Sequence, residues 1–198
     1  MDIAALLASL ESTGLATRIR DSLYLFPLLE AIHVVGLALV FGTIAIIDLR
    51  LLGIASTKRP FTRIASDILK WTWAAFALTA ATGALMFITN AAVYFHNFSF
   101  RAKMVMLLLA GVNMLVFELT AGRTIHRWDK AASAPLAGKT AATLSLVLWI
   151  TIIFLGRWIG FTTTRASVAP PPEEINFDDL FSGAPDDGKA PAAPPTDK

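Results

Sequence analysis

Four stretches of this chain are apolar over about 20 residues each, the length an α-helix needs to cross the hydrocarbon core of a bilayer. They run from about 23 to 47, 71 to 93, 104 to 121 and 141 to 161 in a sequence of 198 residues. Lipid cannot satisfy exposed backbone polar groups, so such stretches fold as helices. The expected class is an all-α membrane protein, a four-transmembrane-helix bundle. Composition agrees: 55% of residues are hydrophobic and 16% charged, against about 45–50% and about 25% in a soluble domain. There is no cysteine, which excludes disulfides, thiolate metal sites, iron–sulfur clusters and covalently attached c-type haem.

The chain divides into three parts. Residues 1–20 carry Ile3, Leu6, Leu7 and Leu10 at helical spacing, and Gly14 reads as the C′ glycine that stops the pattern. An amphipathic helix lying along the membrane interface is expected here. Residues 21–165 form the transmembrane domain, with Asp21 and Ser22 as the N-cap of the first span and Pro27 in its early turns. Residues 166–198 are rich in proline and acid, carry 2 Lys/Arg against 7 Asp/Glu, and read as a disordered tail. Ile175, Phe177, Leu180 and Phe181 interrupt its polarity and offer a docking segment for a periplasmic partner or for the chain itself.

Residues 1–165 carry 15 Lys/Arg against 8 Asp/Glu. Because these cations flank the spans, the excess marks orientation and not nucleic-acid binding. Arg50, Lys58, Arg59, Arg63 and Lys70 lie between spans one and two, and Arg123, Arg127, Lys130 and Lys139 between three and four. Only Arg101 and Lys103 lie between two and three. The positive-inside rule then places both rich loops in the cytoplasm and both termini outside, in a bacterial inner membrane.

An ionisable residue inside a span costs about 2.5–3.5 kcal/mol on insertion scales, so the few present narrow the search for a site. Glu30 and His33 lie three apart in span one and Arg157 lies in span four. A rise of about 1.5 Å per residue puts His33 roughly 6 Å and Arg157 roughly 7 Å outward from the bilayer centre. At matched depth, Glu30, His33 and Arg157 form one candidate constellation. A neutral imidazole in a dry bundle can ligate haem iron, with Arg157, Arg101 and Lys103 available for the propionates. The bland alternative pairs Glu30 with Arg157 and leaves His33 hydrogen-bonded to a carbonyl or relaying protons. Asp48, Arg50 and Glu118 sit at the cytoplasmic ends, and Asn113 near the middle of span three. His96 and His126 read as interfacial, and Trp149 as the one tryptophan deep enough to line a pocket. With one histidine inside a span, a two-haem cytochrome b would require a homodimer.

Ile32-His33-Val34-Val35-Gly36, Phe41-Gly42 and Asp48-Leu49-Arg50-Leu51-Leu52-Gly53 resemble the first helix of a loose bacterial superfamily. It includes HemJ-type protoporphyrinogen oxidases, CopD-type copper-resistance membrane proteins and uncharacterised four-helix families. Thr82-Gly83-Ala84-Leu85-Met86-Phe87 and Arg101-Ala102-Lys103-Met104 extend the likeness, which covers roughly residues 20–162. The resemblance implies His33 as ligand of haem b and Lys103 as a second functional residue. Where HemJ-type proteins carry a further histidine in span three, this chain reads Val112-Asn113-Met114-Leu115. The expected function is haem or porphyrin binding for electron transfer or porphyrin oxidation. Proton or metal-ion transport, and a non-enzymatic module recruiting a partner through its tail, are the alternatives.

Overall fold

The computed structural model describes residues 2–168, with side chains through residue 162. All regular structure within that range is helical. Two short helices, α1 (Ile3–Glu11) and α2 (Gly14–Asp21), precede the long α3 (Leu25–Leu52) and α4 (Phe61–Thr89). A short α5 (Ala91–His96) leads into α6 (Phe98–Leu119), a 3-10 turn and α7 (Ile125–Trp128) lead into α8 (Leu136–Val168). Four helices are long and apolar enough to cross a membrane, and the chain is an integral membrane protein of four spans.

The helices run past the apolar stretches wherever a cap draws them out. Helix α4 begins ten residues before the expected span because the Asp129 carboxylate, from a distant loop, accepts from the Thr62 backbone N–H at 2.8 Å and the Thr62 hydroxyl at 3.1 Å. That satisfies one of the orphan donors of a helix start. The N-cap of α3 is Tyr24 and not Asp21 or Ser22, which close α2; the Ser22 hydroxyl still accepts from Leu25 N at 3.2 Å. Helix α8 continues beyond Phe161 to Val168, so the expected tail overlaps its last turn; the rest of that tail, with Ile175 to Phe181, lies outside the described residues.

At the amino terminus the structure corrects the expectation. Helix α1 stops at Glu11, and Gly14 opens α2, with Thr13 as N-cap accepting from Ala16 N at 3.3 Å. Gly14 is helical and not left-handed; among the described residues the one left-handed glycine is Gly53, at φ 78°. Leu7 packs α1 on α4 and α5, while Ala16 and Ile19 pack α2 on α3 and α4. Two side chains stitch the pair down: Glu11 accepts from Ala92 N at 2.8 Å and Arg20 donates to the Thr89 carbonyl at 3.2 Å. Of the periodic residues Leu7 alone is buried against protein, while Ile3 and Leu6 stay exposed.

Helix α3 packs on α4 and α8, and α6 packs on α8, whereas α4 and α6 meet through aromatic rings near their ends and pack little between. The bundle is a ring with one open side. Its middle is filled by Val40, Ala75, Trp149 and Ile152, ringed by Leu37, Phe41, Ile44, Met106, Leu107 and Ala110. Trp149 is thus a core residue and not a pocket wall. Lipid supplies no hydrophobic drive between spans, so close packing and polar cross-links hold them. Asn113 donates to the Ala141 carbonyl at 2.9 Å and Asn97 to the Thr162 hydroxyl at 2.9 Å, fastening α6 to α8 at both ends.

The end bearing the basic loops is locked by Arg50, whose side chain is fully buried. Its guanidinium donates to the carbonyls of Arg59, Asp129, Ala131 and Ala132 at 2.9–3.4 Å, drawing two loops onto the last turn of α3. A cation there also complements the carboxyl-terminal end of the helix dipole. Gly53 follows because a Cβ would fall 2.7 Å from the Ser133 Cβ.

Candidate functional site

The site begins with His33, half-buried in the upper part of α3 and pressed against α4. Gly36, three residues on, allows that approach: a Cβ there would fall 2.5 Å from the Thr79 hydroxyl oxygen. Gly83 allows the ring itself, since a Cβ would lie 3.0 Å from His33 Cε1 and 3.4 Å from Nδ1. The ring is then fixed by Nδ1, which lies 3.0 Å from the Thr82 hydroxyl oxygen. Thr82 has one hydroxyl proton, directed at the Leu78 and Thr79 carbonyls at 2.9 and 3.1 Å. With that proton directed at backbone, the hydroxyl oxygen can accept from Nδ1–H, the tautomer that leaves an Nε2 lone pair for a ligand; in the other tautomer the two roles reverse.

Lys103 enters from α6. Its ammonium lies against Gly156 of α8, where a Cβ would sit 3.3 Å from Nζ, and its charge acts on the His33 imidazole. No carboxylate pairs with it among the described residues, where the one ion pair joins Arg20 to Asp21. A half-buried cation left without an anion in an apolar bundle is costly unless a ligand supplies the charge. Four helices thus set an imidazole against Gly83 and an ammonium against Gly156, near enough for the charge to act on the ring.

The expected grouping of Glu30, His33 and Arg157 does not assemble. Successive residues on a helix point about 100° apart, and α8 turns Gly156 inward, so Arg157 points out. It is exposed, with its guanidinium 5.6 Å from the Phe161 ring centroid. Glu30 is exposed too, and its charge acts on Tyr94 of α5 instead. Burial, and then the Glu30 carboxylate, push the Tyr94 phenol above its ordinary range. Arg101 is exposed, one turn of α6 from its start. His96 is exposed and its Nδ1 lies 2.8 Å from the Ala92 carbonyl oxygen; His126 is exposed in the basic-loop end.

Asp48 is a second buried ionisable group, 5% exposed, facing Ser145 of α8 and keeping one carboxyl oxygen without a hydrogen-bond partner. Arg50 is turned away from it toward the loop carbonyls. Fifteen residues of α3, about 22 Å of helix, separate Asp48 from His33, with the packed core between them. Among the described residues no three His, Asp or Glu side chains gather as a metal site.

Three aromatic rings roof the His33 end. Phe87, one turn beyond Gly83, stacks on Phe100 of α6 with centroids 5.3 Å apart and planes at 17°. Tyr94 closes the group at 6.4 and 5.9 Å from the two. The sequence carried a signal for part of this, a Thr82-Gly83 pair inside an apolar span, but none for the roof.

Comparison with known proteins places residues 17–162 in DUF6644, a family of unknown function. The chain matches no curated protein and no solved structure.

Proposed function

We propose that this chain, which belongs to the DUF6644 family, binds b-type haem or a related porphyrin through His33, in electron transfer or porphyrin oxidation. The observation that supports this reading is the contact of His33 Nδ1 with the Thr82 hydroxyl, which engages that nitrogen and would let Nε2 meet a metal. His96 lies outside the bundle, so any further protein nitrogen that held the group would come from elsewhere, such as another copy of the chain.

The residues present fit such a group by their donor chemistry. His33 would hold the iron. Lys103, unpaired beside it, would take a propionate carboxylate, with Arg101 nearer the helix start for the other. Arg157 and Glu30, both exposed and turned elsewhere, have no such part. When bound, haem would supply one-electron chemistry. Thr82 would fix the tautomer, Gly83 would admit the ring, and the neighbouring spans would exclude water. Under the positive-inside rule the Arg50 end is cytoplasmic and the site lies toward the periplasmic face of an inner membrane.

The test is the absorption spectrum of the protein purified from haem-replete membranes. A Soret band that is present in the wild type and lost in His33→Ala is expected; no band, or one that His33→Ala leaves unchanged, defeats the reading.

Transport is less well supported. The packed core between His33 and Asp48 interrupts any polar path along α3.

A further inference from the structure

His33 is half-buried in the amino-terminal half of α3, within a helix long and apolar enough to span the bilayer. Two ways in are conceivable. From the aqueous end, the stacked Phe87 and Phe100 and the adjoining Tyr94 stand between water and the site. That roof lies one helical turn beyond it, since Phe87 is four residues past Gly83 and Phe100 three before Lys103. Helices α1 and α2 are stitched to the same end by Glu11 and Arg20.

The side is different. Helices α4 and α6 are in thin contact, through Phe61–Phe117 at the basic-loop end and through the Phe87–Phe100 stack and α5 at the other. Below the stack, the face of α4 that carries Phe87 continues through Ala84 and Ala80, three and seven residues back, both exposed and both bearing only a methyl group. On α6, Met104 follows Phe100 by four and is the flexible side chain on the opposite edge.

We infer that the ligand reaches His33 laterally from the bilayer, through the gap between α4 and α6 with Ala80 and Ala84 as its sill and Phe87, Tyr94 and Phe100 as its roof. The inference rests on the porphyrin reading and adds the source and route of the ligand. A flat apolar macrocycle dissolves in the bilayer, and its carboxylates, which stay near the headgroups, arrive at the level of Lys103.

The route is tested with the full chain in phosphatidylcholine vesicles, stripped of pigment and loaded with haemin either from donor vesicles or from an albumin complex in water. Ala84→Phe and, separately, the milder Ala80→Leu should slow loading from donor vesicles about tenfold. Unloading to a haem-scavenging protein should slow to match, because a narrowed entrance raises both barriers alike. Phe100→Ala, which removes one ring of the roof, should speed loading from albumin by more than it changes loading from donor vesicles. If both alanine variants load from vesicles at the wild-type rate, or if the wild type loads faster from albumin than from vesicles, the lateral route is wrong while the haem site stands. If the wild type acquires no His33-dependent Soret band from either source, the porphyrin reading has failed and the route with it.

Discussion

The His33 ring lies so close to Gly83 that the smallest possible side chain there would fall 3.0 Å from its Cε1. Gly83→Ala forces one of the two to move by a few tenths of an ångström, at a cost of about 1–3 kcal/mol for overpacking. Because the ring is held by Thr82 on the same helix turn, the strain falls on the Nδ1 hydrogen bond. A shifted or weakened Soret band is expected in Gly83→Ala, and a larger loss in Gly83→Val. A wild-type spectrum in both variants would mean that ring placement does not govern binding.

Lys103 and Arg157 separate two ideas of how an acidic ligand is held. Lys103→Met keeps the chain length and removes the charge beside His33, and haem affinity should fall about tenfold or more, the loss of one charge-assisted contact. Arg157→Met removes a guanidinium that meets Phe161, a contact worth about 0.5–1 kcal/mol to stability, and should leave affinity within about twofold. Haemin titration of both variants measures the difference, and equal losses would restore Arg157 to the site.

Tyr94 offers a pH readout at the roof. Burial and the Glu30 carboxylate raise its phenol above the ordinary value of about 10. The folded state then favours the protonated phenol, so the contribution to stability is whole below the unfolded value and is lost as pH climbs through the folded one. In a Tyr24→Phe background, phenolate absorbance should appear at higher pH than in an unfolded peptide. Glu30→Gln should bring it part of the way back and leave the burial component. A titration that ignores Glu30→Gln would separate the two residues.

Arg50 is the structural keystone of the basic-loop end. Arg50→Leu leaves up to four carbonyls without their donor, and about 3–5 kcal/mol should be lost in thermal unfolding in micelles. Arg50→Lys should recover less than half of that, because an ammonium lacks the planar fork that reaches several carbonyls at once. Asp129→Ala, which removes the distant cap of α4, should cost about 1 kcal/mol.

The number and position of the spans were legible because length and apolarity decide them. Their ends were not, since Asp129 caps Thr62 from 67 residues away. Nor was rotation. Depth along a helix follows from counting, and it set Arg157 level with His33, yet the side it faces depends on which small residue its neighbour needs against Lys103, and that is a tertiary fact. Lys103 was singled out only by a resemblance, and its place against Gly156, like that of Thr82 beside His33, could be read only once the facing helix was in hand. The amphipathic amino terminus was read correctly as helical and wrongly as one helix ended by glycine, because Thr13 is the better N-cap and Gly14 needs no left-handed turn.

The Asn113 and Asn97 bonds make α6 and α8 one plank, and the glycine contacts make α3 and α4 another. The planks meet along α3 and α8, so the molecule is mechanically a book with that seam as its spine. Arg50 and the Phe61–Phe117 pair bind the covers at the foot, and α5 joins them at the head beside the stacked Phe87 and Phe100. With both ends tied, the free edge has most room to part between them, just below the aromatic stack.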